Sequence, residues 1–224
     1  MTRTLKLRWS RLRDIALKAA LAAALLAIAT VAAQTAELAL PPPQTEGGKP
    51  LMQALKERRT TRSFAGEPLP PQVLSNLLWA AWGINRPDGH RTAPSARNWQ
   101  EIDVYVAAAD GLYVYVAETH TLRRVVAQDL RAAAGTQAHA REAPVTLVYV
   151  ADERRMGSAD EETRRTYAAA DTGFIAQNVY LFCASAGLGS VVFASIDRAR
   201  FAQAAGLRAE QRITLAQSVG YPKR

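Results

Sequence analysis

The chain has 224 residues, with 28 Lys and Arg against 20 Asp and Glu and a formal net charge of +8. That length suits one domain large enough to bury a core. A single cysteine, Cys183, excludes an intramolecular disulfide, a Cys-rich metal site and a Cys-pair redox motif.

Charge is concentrated at the N-terminus. Arg3, Lys6, Arg8, Arg11, Arg13 and Lys18 precede an unbroken run of Ala, Leu, Ile, Val and Thr from Ala19 to Ala33. A positive flank, an apolar run and small residues at Val31 and Ala33 form the pattern of a secretory signal peptide, residues 1–33, cleaved after Ala33. The run is shorter than the roughly 20 residues that span a bilayer comfortably, and an uncleaved N-terminal anchor is the alternative reading. In either case the positive flank stays in the cytoplasm and the remainder is expected in the periplasm. Without that segment 22 cationic and 19 anionic side chains remain, so no nucleic-acid partner is expected.

Residues 34–50 contain Pro41-Pro42-Pro43 and Gly47-Gly48 and read as an extended arm. The domain proper is expected over 51–224. Leu51, Met52 and Leu55 predict a short helix ending near Arg59. Directly after it, Arg58-Arg59-Thr60-Thr61-Arg62 packs three guanidiniums and two hydroxyls into five positions. Planar charged forks and small hydroxyl donors suit a phosphate; a solvated helix end is the plainer reading.

A second helix is expected over Pro70 to Trp82, with prolines in its first turn, and mostly loop over 83–101. Ile102–Ala108 and Leu112–Ala117, joined at Asp110-Gly111, predict a hairpin. Leu122–Ala134 reads as a helix, Val145–Ala151 as a buried strand, and Glu161–Ala186 as a long Ala-rich helix ended by glycine. Ser190–Phe193 and Arg212–Val219 read as strands flanking a helix over Asp197–Ala205 that Asp197 caps. His90, His120 and His139 are scattered, so no metal site is expected. Each reads as a surface or loop histidine, and Cys183 as a buried structural thiol. Strands interspersed with helices, plus a hairpin, give α+β with a central mixed sheet.

Four stretches carry a resemblance to the FMN-dependent nitroreductase superfamily, in the branch that includes the azoline-forming flavin dehydrogenases: Arg58–Phe64, Thr92–Gln100, Asp171–Ser195 and Val219–Pro222. The resemblance implies the nitroreductase fold, bound FMN, and an intertwined homodimer with each site built from both chains. The long helix is then a candidate for the dimer core, although its pattern equally suits burial within one subunit. Arg58, Thr60 and Arg62, with Arg59 beside them, are implied to hold the FMN phosphate. Ser95, Arg97 and Asn98 are implied to contact the flavin; a local Asx-type turn is the plainer reading of that loop. The backbone N–H groups of Ala194 and Ser195 are implied to face flavin N5 and O4. Gly187 and Gly189 fall beside the cofactor in the family and read equally as a helix cap, while Lys223 and Arg224 fall where a further phosphate cation is often placed. Trp99, Tyr167 and Phe193 are pocket candidates, with core packing the plainer reading of Phe193.

With the chemistry on the flavin, no catalytic triad is expected. The implied activity is two-electron or hydride transfer, in a ping-pong cycle, to or from a small organic substrate, with NAD(P)H or another electron donor. Export separates the domain from cytosolic NAD(P)H, which leaves room for a different donor or the oxidising direction. The alternative is a non-catalytic protein that binds flavin or a phosphorylated ligand on the same fold.

Overall fold

Aromatic and β-branched residues build the sheet. A computed structural model describes residues 37–223, so the expected signal segment and Arg224 lie outside the described residues. The strands are β1 (Glu37–Ala39), β2 (Ile102–Ala108), β3 (Gly111–Val116), β4 (Thr121–Val126), β5 (Val145–Asp152), β6 (Gly189–Phe193) and β7 (Gln211–Gly220), in the order β1-β4-β3-β2-β5-β7-β6. The helices are α1 (Leu51–Glu57), α2 (Pro71–Trp82), α3 (Arg131–Ala134), α4 (Ala138–Glu142), α5 (Glu161–Ala186) and α6 (Arg198–Ala205).

The sheet expected to be mixed is antiparallel in every ladder. Strand β7 inserts between β5 and β6, so the two strands that α5 connects each pair with β7 and never with each other. Parallel pairing survives only in an isolated bridge between Thr60 and Ser190.

The helix expected over Leu122–Ala134 is corrected. Its first half is β4, the third strand of a meander, paired with β3 through a register shift at Leu112 and Tyr113. Only Arg131–Ala134 is helical. Val125 and Val126 suit a strand, and a waiting edge on β3 outweighs the weak helical pattern.

Both faces of the sheet are covered. On one side Leu77, Leu78 and Trp82 of α2 and Ile175, Val179 and Cys183 of α5 pack on Val104, Val106, Leu147 and Tyr149. On the other, Leu130, Ala133 and Phe201 pack on Tyr105, Val148, Val150 and Ile213. Every residue of β5 is therefore buried, which explains why it reads as an apolar run without alternation. Helix α5 starts where Asp160 accepts the Thr163 N–H at 2.7 Å. It stops at Gly187, whose φ of 71° is left-handed.

The arm is strapped to the domain. Strand β1 pairs with the free edge of β4. Beyond it Ser75 donates to the Pro41 carbonyl at 2.6 Å and Gln72 to that of Pro42 at 2.9 Å. His120 completes the clasp: Nε2 lies 2.8 Å from Ser75 Oγ and Nδ1 2.9 Å from Tyr115 Oη. Such a set is satisfied by the neutral ring, and burial lowers the His120 pKa accordingly.

One polar network crosses the core. The Tyr149 hydroxyl donates to Gln217 Oε1 at 2.6 Å, and Gln217 Nε2 donates to Ser190 Oγ at 2.8 Å and to the Ala176 carbonyl at 3.2 Å. It joins β5, β7, β6 and α5 with all groups buried. Replacing Tyr149→Phe leaves Gln217 Oε1 without its donor, so the urea midpoint is expected to fall by an amount equivalent to about 1–3 kcal/mol.

Candidate functional site

The basic motif leaves α1 at its C-terminal end and runs along the outer edge of β6. Thr61 N–H donates to the Ser190 carbonyl at 2.8 Å. The Thr60 hydroxyl is 3.3 Å from the Tyr180 hydroxyl, which accepts the Val192 N–H at 2.9 Å. Tyr180 thus ties motif, strand and long helix at one oxygen. The Arg58 guanidinium lies 5.2 Å over the same ring. Phe64 is buried and bridges Pro222, and the Lys223 N–H donates to the Ser63 carbonyl at 3.1 Å.

Lys223 is therefore beside the motif, with Nζ 3.8 Å from Glu142. Among the described residues, Arg58, Arg59 and Arg62 have neither a hydrogen bond nor an ion pair through their guanidiniums. By contrast, Arg91, Arg131 and Arg155 are all engaged with carboxylates. Beside the motif lies a cleft of about 540 Å³ lined by Lys49, Lys56, Arg58 and Arg59 among others. Its one carboxylate, Glu57, is taken by Lys49 at 2.6 Å.

Gly187 is the left-handed cap of α5. Gly189 opens β6, where a Cβ would stand 2.7 Å from Thr61 Cγ2 and 2.8 Å from Thr61 Cβ. The two glycines thus separate: one stops the helix, the other lets the motif close on the strand.

Past β6 the chain turns away from β7. The Ala194 and Ser195 N–H groups have no acceptor among the described residues, although the Ser195 carbonyl takes the Thr136 N–H at 2.9 Å. Buried Ser195 Oγ and His139 Nε2 are unpartnered there too. His139, expected as a surface or loop histidine, is instead buried within α4 with its ring 4.9 Å edge-on from Phe193. Burial, and then the charge of Arg62, hold its pKa low. Phe193 is half-buried and packs with Phe64, Ala143 and Val191.

The Ser95–Gln100 loop is fastened elsewhere on α5. Ala96 N–H donates to Asp171 Oδ2 at 3.0 Å; Ser95 Oγ donates to Glu101 Oε2 at 3.2 Å and accepts the Gln100 N–H at 2.9 Å. Ser95 therefore works inside the turn. Arg97, Asn98 and Gln100 have φ of 53°, 54° and 48°. The Arg97 guanidinium lies 5.2 Å over Trp99, which meets Tyr167 edge-on at 5.8 Å. Asn98 Oδ1 accepts from Gln100 Nε2 at 2.8 Å. Asp171 and Tyr180 are nine residues apart on α5, about 13 Å along the axis. One chain brings Arg58, Arg59, Thr60, Arg62 and Lys223 together, and Ser95, Arg97 and Asn98 form a second group.

Tyr180, His139 and Glu101 were missed by sequence reasoning. Glu101 follows the loop motif directly, and a carboxylate before an apolar strand was the available signal; Tyr180 and His139 have no local one.

The model of the Nitroreductase family matches residues 55–221. The chain belongs to that family. A nitroreductase-like protein of Ralstonia eutropha JMP134, known as a crystal structure, is 43% identical with a TM-score of 0.80, over 84% of this chain and 90% of that one. A nitroreductase-like protein of Methanocaldococcus jannaschii, MJ1384, is 33% identical over 63% of this chain and 76% of its own length. The Vibrio harveyi NADPH:FMN oxidoreductase, solved with NAD+, shares the fold at 20% identity and a TM-score of 0.58, over 78% of this chain and 69% of that one.

Replacing Gly189→Ala should push Thr61 and the motif off β6. Overpacking of this kind is expected to cost about 1–3 kcal/mol in thermal or urea unfolding, with a loss of ligand affinity at the motif that Gly187→Ala does not share.

Proposed function

We propose that this nitroreductase-family chain is an FMN-dependent oxidoreductase, exchanging two electrons or a hydride with a small organic substrate. The observation that carries the reading is the set of three guanidiniums beside the Thr60 and Thr61 hydroxyls that have no hydrogen bond or ion pair among the described residues, at the foot of a strand beyond whose far end two backbone N–H groups likewise have no acceptor among them. Cations at one end and neutral donors at the other fit a phosphorylated heterocycle. Arg58, Thr60 and Arg62, with Arg59, would hold the phosphate through charge-assisted hydrogen bonds. The Ala194 and Ser195 N–H groups would hold the polar edge of the ring and stabilise negative charge arriving on it. FMN, when bound, supplies the redox chemistry itself.

Both groups of site residues can meet one cofactor in a homodimer, which we infer. That reading is supported by the separation of the two groups along α5 and by five large apolar side chains left exposed: Leu51, Met52 and Leu55 of α1, and Tyr167 and Phe174 of α5. The resemblance of the four motif stretches to the branch that includes the azoline-forming dehydrogenases, together with the reading of residues 1–33 as an export signal, favours a periplasmic enzyme that oxidises its substrate or draws on a donor other than NAD(P)H.

The test is the double replacement Arg58→Ala with Arg62→Ala. Each charge-assisted contact contributes about 1.5–3 kcal/mol, so FMN affinity read by flavin fluorescence should fall at least about 100-fold. Unchanged affinity removes the phosphate assignment. In the wild type, bound FMN should bleach on anaerobic reduction and recover with an acceptor. A chain that binds FMN without cycling is the non-catalytic binding protein instead.

A further inference from the structure

Glu101 and Asp171 are both buried, and neither pairs with a cation among the described residues. Glu101 stands just before β2 and Asp171 in the middle of α5, and their carboxyl groups come to adjacent residues of one loop, Ser95 and Ala96. Both also grip the Ser95–Gln100 loop, Glu101 through the Ser95 hydroxyl and Asp171 through the Ala96 N–H. Glu101 Oε1 has no partner among the described residues.

The charged groups around the pair are engaged elsewhere. Arg97 lies on Trp99; Arg155 holds the Gln100 carbonyl and Asp103. The Asp152 N–H meets the Glu101 carbonyl, but its carboxylate is taken by Arg154 and Arg208. On α5, Arg164 reaches Glu153, and Tyr167 meets Trp99. Two ionised carboxylates in such a place repel each other, while one proton turns repulsion into an O–H···O bond.

We propose that Glu101 and Asp171 hold a single proton between them and that this acid pair positions the Ser95–Gln100 loop, making Glu101 a positioning residue for the cofactor-facing side chains. The inference rests on the flavin reading of that loop. The loop needs such a clamp because three of its residues, Arg97, Asn98 and Gln100, are non-glycine residues in the left-handed region. Losing the proton sets the Glu101 and Asp171 charges against each other at the two points where the loop is held.

Burial first, and the charge of Asp171 with it, push Glu101 up to about 7. The folded chain therefore keeps a proton that the unfolded chain releases in the ordinary carboxylate range. The stability this gives is complete at acid pH, declines as pH rises, and is lost on passing about 7.

The experiment uses the full chain and its Glu101→Gln and Asp171→Asn variants, comparing thermal melts without ligand and the affinity for added FMN at several pH values from about 5.5 to 8.5. In the wild type, the melting temperature and FMN affinity should both fall across neutrality, affinity by up to about tenfold between pH 6 and 8. Glu101→Gln, which keeps a donor without a charge, should flatten both profiles and bind FMN at pH 8 at least as tightly as the wild type. Asp171→Asn should flatten the melt profile as well, and decides the matter if Glu101→Gln does not fold. An infrared carboxylic-acid band present in the wild type at pH 6 should vanish in Glu101→Gln. Wild-type pH slopes retained in the variants overturn the proposal. Absence of FMN binding in all three proteins overturns the flavin reading and the loop's role in it, while the shared proton stands or falls on the melts and the infrared band.

Discussion

Helix α5 lies close against the sheet because the side chains it buries there, among them Ala168, Thr172, Ala176, Val179 and Cys183, are small or slim. Their spacing of three and four residues keeps them on one face. Close approach brings Tyr180 within reach of β6 and the Gln217 amide within reach of the helix backbone at Ala176. From that contact follow the position of the basic motif, which leans on Tyr180, and of the polar loop, which leans on Asp171. A bulkier packing face would lift the helix and separate both from the strands they serve. Burial also pushes the Cys183 thiol far up, consistent with a packing residue that takes no part in nucleophilic chemistry.

Features written in neighbouring residues were readable in the sequence. The Asp110-Gly111 turn announced the β2–β3 hairpin, prolines at the first turn announced α2, and Asp197 announced the cap of α6, whose side chain accepts the Arg200 N–H. The charge density of Arg58–Arg62 likewise needs no partner to be seen. Features that depend on distant partners were not legible. Leu122–Val126 became a strand because β3 offered an edge, and β1 because β4 then offered another. Glu101 sits at the end of the 83–101 loop, and its place before an apolar strand is the most that the sequence offers; its burial near Asp171, seventy positions later, is a property of the packed helix. The mixed sheet was expected from helix-linked strands, and only the insertion of β7 between β5 and β6 made it antiparallel.

The low amphipathicity of α5 has a related origin. Its inner face mixes small residues with Ile175 and Tyr180, while its outer face carries Tyr167 and Phe174 exposed at 39% and 47%. An apolar residue on each side erases the one-sided pattern by which surface helices are usually recognised. The same distribution makes the helix a wall between the chain's own core and whatever apolar surface covers it from outside.

Strand β6 is the last strand of its sheet, and its Gly189-Ser190-Val191-Val192-Phe193 sequence is short, β-branched and uncharged. Strands of this composition invite pairing from other chains when their outer edge is open. Here the basic motif lies along that edge: Thr61 occupies the Ser190 carbonyl, Thr60 bridges the same residue, and three guanidiniums stand next to it. The segment that suits an anion is thus also a gatekeeper, placing concentrated like charge along the edge where an intruding strand would add. Protection of the open edge and attraction for an anion thus draw on the same few side chains.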